Sequence, residues 1–338
     1  MQQDPSFFLR PLLLLVGALG LATGCGGDSG VDPGDAATSD VSTADVPDSG
    51  VVSDTPTPGD VPMATDTGHS DDAGHGSDAA HGDDVHHGSD AAHTCMAGDT
   101  VYVPMGPHWD YTHQTEWPML MGSMCAGMTQ TPIDIPMTTT PETTGLTFNH
   151  YGDVPLRLVH NGHTLQVNVS TTYGMNDPSV SFGGTTYYLL QFHAHTTSEH
   201  TVRGMSYPME VHFVHATDNT PTARFLVVGV LFTMGADNPV METVLTQNPG
   251  EECQRERLMT QVNLSALLPA NRSHFHYSPG SLTTPPCTMG LNWFVLSTPI
   301  PVGMTQVSRF AATVHGHNNR SVQPLNMRTV YEYTQPLM

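Results

Sequence analysis

The tightest constraint on this chain is a period-two alternation in two nearby stretches. In residues 186–195, Gln191, His193 and His195 alternate with Phe192 and Ala194; in residues 208–215, Glu210 and His212 alternate with Val211 and Phe213. That repeat belongs to a β-strand, where side chains at i and i+2 share a face. If the stretches pair antiparallel, His212 rises beside His193 and His195 and three imidazoles converge. Three protein ligands leave the fourth position of a tetrahedral ion open, which is the pattern of a catalytic zinc site. Gln191 and Glu210, each two residues before a histidine, lie on the same face and suit the orientation of an imidazole through its other nitrogen. Two further H-x-H pairs, His274/His276 and His315/His317, lack this company and read as ordinary polar positions.

Beyond this pair, residues 156–159, 164–169, 225–232 and 292–297 combine β-branched and aromatic residues between Gly, Asn, Asp and Pro breaks, and read as strands. Residues 240–244 and 306–313 read as short helices. The alternation by itself supports a β-rich single domain over the C-terminal part, residues 95–338.

Charge separates that part from what precedes it. The formal net charge is −22, and residues 26–94 hold fifteen Asp and no Arg. The chain has no Lys, so a basic surface for nucleic acid is excluded. Residues 25–94, rich in Asp, Gly, Ser, Thr, Ala and Pro, have too few apolar side chains to offset ordering entropy and read as a disordered linker. Between His69 and His93 lie six His and six Asp. Weak zinc capture and a solvated spacer are the two readings of that tract. Residues 1–24 read as an export signal: Arg10 precedes an apolar run too short to span a bilayer. The run ends in Leu21-Ala22-Thr23-Gly24-Cys25, which resembles the lipobox of bacterial lipoproteins. That resemblance implies lipidation of Cys25, a membrane anchor, and an outer-membrane address facing the periplasm or the exterior.

The segment 191–215 resembles the zinc-binding segment of the alpha-class carbonic anhydrases, in its bacterial and plant branch. HWDY at 108–111, TQTPIDI at 129–135, HNGHTLQV at 160–167, GSLTTPPC at 280–287 and NNRSVQPL at 318–325 resemble further blocks of that family, in the same order. The resemblance implies an α+β, mainly β fold with a large, twisted, mostly antiparallel sheet and short surface helices. It implies a Zn2+ cofactor on His193, His195 and His212, and zinc-bound hydroxide attacking carbon dioxide to give bicarbonate and a proton. Thr283 then matches the residue that orients the hydroxide, Glu199 the carboxylate behind it, and His163 the proton shuttle. Tyr111, Asn161 and Gln166 match positions that order the intervening water. Val214, Val227, Leu282, Thr284, Leu291 and Trp293 match the substrate pocket.

The family also links a cysteine before the Q-x-P-I block to one after T-T-P-P, here Cys125 and Cys287, which leaves Cys95 and Cys253 as a second pair. His200 reads as structural. Tyr277 falls one residue out of step with the commonest family spacing and stays outside the catalytic set. The alternative function is a non-catalytic zinc-scavenging lipoprotein on the same scaffold.

Overall fold

The structure, a computed structural model, describes residues 100–101, 108–250 and 255–336. The expected signal segment, the lipidation site Cys25, the acidic tract, Cys95 and Cys253 lie outside the described residues.

The core is a 13-stranded sheet. Its principal strands are β1 (Leu156–His160), β2 (Leu165–Val169), β3 (Ser179–Phe182), β4 (Thr185–His195), β5 (Met209–Ala216), β6 (Phe225–Met234), β7 (His274–Ser281), β8 (Met289–Val302) and β9 (Tyr331–Tyr333). Across the sheet their order is β1, β2, β4, β5, β6, β8, β7, β9, with β3 pairing β4 off this path. Most neighbours are antiparallel. The β6–β8 pair is parallel, as is the pairing of β9 with the edge segment Thr140–Glu142. The mainly β, mostly antiparallel fold expected from the sequence is present. The edge pairings of β9 were not anticipated, because three residues carry no readable alternation.

Every residue of β5 is buried, as befits a strand enclosed between β4 and β6. Its alternation sorts two environments. Met209, Val211 and Phe213 join Phe192 and Ala194 of β4 and Val228 and Val230 of β6 in the larger apolar core. On the opposite face, Val214 joins Val227, Leu231, Leu291, Trp293 and Val295 in a second, smaller core. Glu210 and His212 therefore stand among apolar side chains on the smaller-core face.

The two expected helices form as α1 (Pro239–Thr246) and α2 (Met304–Thr313). Asn238 caps α1, its Oδ1 accepting from the amides of Val240 and Met241, with Pro239 in the first turn where a missing N–H costs nothing. Gln306 of α2 accepts from the Asn238 amide at 2.8 Å and donates to its carbonyl at 2.9 Å, which ties the helices together.

His274 and His276 are not the ordinary polar positions their sequence suggests. Both are buried on β7, and the His276 ring stacks on Phe294 at 4.3 Å and 3°. An imidazole with one satisfied nitrogen packs as an aromatic ring, which residue type alone does not reveal. His215 is similar: Nδ1 donates to the Leu226 carbonyl at 3.1 Å and Nε2 accepts from the Tyr151 hydroxyl. Burial pushes its pKa down to about 3. The folded state thus holds His215 neutral while the unfolded chain protonates it near the ordinary value. The contribution of His215 to stability should be flat above pH 6.5 and be lost as pH drops from 6.5 toward about 3. Urea unfolding midpoints measured from pH 7 to pH 4 should show this decline, and His215→Gln should make it shallower. An unchanged slope in the variant would contradict the assignment.

Candidate metal centre

The β4–β5 register brings the three histidines together. His212 lies directly across from His193, and Glu210 directly across from His195. Ring centroids are 5.0 Å apart for His193–His195, 5.4 Å for His193–His212 and 4.5 Å for His195–His212. Their candidate ligand atoms all lie within 4.8 Å of one another. His195 and His212 are buried and His193 is half-buried.

Each ring has one nitrogen committed to an acceptor. His193 Nδ1 donates to Gln191 Oε1 at 2.8 Å, His195 Nδ1 to the Asn318 carbonyl at 2.7 Å, and His212 Nε2 to Glu210 Oε1 at 2.9 Å. These contacts fix the tautomers and leave lone pairs on His193 Nε2, His195 Nε2 and His212 Nδ1. His195 Nε2 is buried and has no hydrogen-bond partner. Such an orphan ordinarily costs about 1–3 kcal/mol. Burial also lowers the pKa of all three rings, His195 to about 4, so they stay neutral and fit to ligate. A borderline divalent ion with a preference for imidazole fits this donor set.

Glu210 holds the support together. Its Oε2 accepts from the amides of Glu199 at 2.9 Å and His200 at 2.8 Å, and its Oε1 accepts from His200 Nδ1 at 2.7 Å and from His212. Burial pushes the carboxyl upward, but the His200 and His212 imidazoles outweigh it and hold the pKa well below the usual carboxylate range. The His200–Glu210–His212 grouping is thus a hydrogen-bonded brace for the trio. His200 is structural in this sense, linking Glu210 to the Tyr277 hydroxyl at 2.7 Å.

Tyr277 also reaches Thr131 Oγ1 at 3.2 Å. The spacing excess around residue 277 is absorbed by a register shift between Tyr277 and Gly280, so Tyr277 still faces Trp293. Tyr277 is therefore a supporting residue that sequence reasoning left out.

Glu199 is buried beside the trio, 3.5 Å from His195 Nδ1 and 3.8 Å from His212 Nδ1. Its Oε1 accepts from the Arg320 amide at 2.8 Å. Burial raises its pKa to about 7, while the Thr283 hydroxyl acts in the lowering direction. Glu199 Oε2 is buried and has no hydrogen-bond partner.

Val214, Val227, Leu291 and Trp293 form one apolar surface with Leu282 packed against it, and the Trp293 ring lies 4.9 Å from that of His212. Thr284 is half-buried in the same loop. His163 stacks on Trp109 at 3.7 Å and 8°, with Tyr111 6.5 Å away. Asn161 Oδ1 accepts from the His163 amide at 3.0 Å, and Asn161 Nδ2 donates to Gln166 at 3.3 Å. The Cys125–Cys287 disulfide pins the loop that carries Thr283.

Trp109, Asn318 and Arg320 stand in the HWDY and NNRSVQPL blocks, but the sequence assigns them no individual role. Asn318 supports His195 through its main-chain carbonyl, and its side chain holds the carbonyls of Ala194 at 2.9 Å and His163 at 3.1 Å. His315 and His317 are exposed and line an open cleft of about 650 Å³, with Tyr111 on one wall.

A three-imidazole face seated on a large mixed sheet is a candidate metal site with one coordination position left open. Residues 112–334 match the family profile described as eukaryotic-type carbonic anhydrase. A Klebsiella pneumoniae carbonic anhydrase is 40% identical over 206 residues, covering 61% of this chain and 80% of the relative. A Neisseria gonorrhoeae carbonic anhydrase is 36% identical over 231 residues, covering 67% of this chain and 88% of the relative. The solved alpha-carbonic anhydrase of Thermovibrio ammonificans, in complex with sulfanilamide, aligns with a TM-score of 0.61 at 37% identity, covering 67% of this chain and all of the other. The chain belongs to the alpha-class carbonic anhydrase family, whose members are lyases.

Gly229 of β6 sits opposite His212, and a Cβ there would lie 2.6 Å from Glu210 Oε1. Glu210 cannot yield without breaking its hydrogen bonds. Gly229→Ala should cost about 1–3 kcal/mol of stability and weaken zinc binding, as read by thermal unfolding and zinc competition with a chelating dye. Unchanged values in both would show that Glu210 does not brace His212.

Proposed function

We propose that the chain catalyses the reversible hydration of carbon dioxide to bicarbonate and a proton, with Zn2+ held by His193 Nε2, His195 Nε2 and His212 Nδ1. The observation that carries this reading is the buried, unpartnered Nε2 of His195, flanked by two imidazoles whose other nitrogens are already committed. When bound, zinc supplies a Lewis acid that makes a water molecule nucleophilic at neutral pH.

The protein's own residues supply orientation, desolvation and proton transfer. Thr283 directs its hydroxyl proton toward Glu199, so its oxygen is left to accept from the nucleophile and fix its direction. Glu199 is held for that task by the Arg320 amide. Val214, Val227, Leu282, Leu291 and Trp293, with Thr284 at the edge, give an uncharged substrate an apolar resting place beside His212. His163 takes up the product proton on its imidazole and passes it to buffer. Tyr111, Asn161 and Gln166 order the water between His163 and the centre. Lipidation at Cys25, supported by the LATGC motif, would hold the enzyme at the outer membrane, with residues 25–94 as spacer.

Stopped-flow carbon dioxide hydration tests the reading. Activity should vanish on zinc removal and return with one equivalent of zinc. In dilute buffer His163→Ala should lose on the order of a hundredfold in turnover, and added imidazole should restore part of it. Inactive but zinc-saturated protein would instead favour the zinc-scavenging alternative.

A further inference from the structure

Leucine and methionine are both apolar and close in volume, so packing alone would sort them alike. In this fold they part. Among the described residues, fourteen large apolar side chains stand in solvent, and eleven are methionine; the others are Leu258, Val322 and Tyr331. No isoleucine, phenylalanine or tryptophan is among them. The remaining described methionines, Met209, Met241 and Met259, are buried in the larger core. None lies in between: the outer set runs from 38% exposed at Met289 to 100% at Met327. What distinguishes that set from the buried leucines is the thioether.

These residues are spread along the domain, on loops and element ends. Met175 lies in the loop before β3, Met234 ends β6, Met304 opens α2, and Met327 stands in a turn before β9. At an exposed position the oxygen of a sulfoxide faces water and displaces no packed neighbour. The same oxygen on Met209 or Met241 would force a polar group into the core. The two described cysteines are joined as Cys125–Cys287, so among the described residues the thioether is the reduced sulfur offered to solvent. The oxidisable rings of the metal centre, the imidazoles of His195 and His212 and the indole of Trp293, are by contrast buried.

A thioether is a soft, polarisable nucleophile, and its ordinary oxidation product is the sulfoxide. With a hypohalous acid such as hypochlorous acid the net step is balanced. The sulfur gains the oxygen, the oxygen–chlorine bond breaks, and chloride and a proton leave; sulfur gives up two electrons and chlorine takes them. The same acids attack indole and imidazole, so a surface that meets them with sulfur first spares the rings behind it. We propose that the exposed methionines are a stoichiometric sink for hypohalous acids, consuming oxidant at the surface before it reaches Trp293 and the histidine trio. This function is separate from carbon dioxide hydration and does not rest on it.

The test titrates the full, zinc-loaded chain with hypochlorous acid in amine-free buffer. Each step is mapped by peptide mass spectrometry, with carbon dioxide hydration measured alongside. The first equivalents should appear as sulfoxide on Met119, Met121, Met137, Met175, Met304 and Met327, all at least 71% exposed. Met209, Met241 and Met259 should stay unmodified, and hydration should stay at the untreated rate. With those six replaced by Leu, oxidation of Trp293 and of the peptide bearing His193 and His195 should begin about six equivalents earlier, one for each sulfur removed. Loss of hydration should move with it. Should the sixfold variant fail to fold, Met175→Leu/Met304→Leu/Met327→Leu should shift both by about three equivalents. The peptide map decides the matter even in a protein that does not hydrate carbon dioxide. Dose curves that coincide for parent and variant, or Trp293 modified ahead of the exposed sulfurs, would overturn the proposal.

Discussion

A single buried carboxylate, Glu210, organises the centre. Placing a charge in an apolar interior costs several kcal/mol unless it is well hydrogen-bonded. Here its two oxygens accept from two amides and two imidazoles. The arrangement is reciprocal. His212 is turned so that Nδ1 keeps its lone pair, and the backbone at Glu199 and His200 is drawn in to complete the carboxylate's shell. Gly229 completes the fit by leaving the space that Oε1 occupies. Removing either partner would strand a charge, a loss of about 3–5 kcal/mol for buried pairs, so this brace and the fold around it stand or fall together.

The sheet makes such a site affordable by separating its two faces. One face of β4, β5 and β6 feeds the larger apolar core, which carries most of the burial. The other presents Gln191, His193, His195, Glu210 and His212 beside a smaller apolar cluster. Low solvent access keeps the imidazoles neutral and strengthens each hydrogen bond that aims them. The disulfide adds to this from a distance: it closes a loop of 162 residues, worth about 5 kcal/mol in chain-entropy terms, and it anchors the segment bearing Thr283.

Much of the centre was legible in the chain because a period of two is a direct statement about which side chains share a face. His193, His195, His212, Gln191 and Glu210 were readable for that reason, and the structure brings all five together. Thr283, Glu199 and His163 were reached only through resemblance, since nothing in their spacing links residues so far apart. Asn318 escaped because its contribution to His195 is a backbone carbonyl, which every residue possesses. Tyr277 escaped because a bulge restored a register that counting residues had shifted. His274 and His276 were misread as polar positions because residue type does not disclose that a histidine can stack as a core aromatic.

In the proposed centre three imidazoles, and nothing else from the protein, hold the ion. X-ray absorption at the zinc edge, on the full chain loaded with one equivalent of zinc, tests this directly. The expected spectrum fits three imidazole nitrogens and one oxygen from solvent at roughly 2.0–2.2 Å. A fourth imidazole, a carboxylate from the acidic tract, or any sulfur in the coordination shell would contradict it.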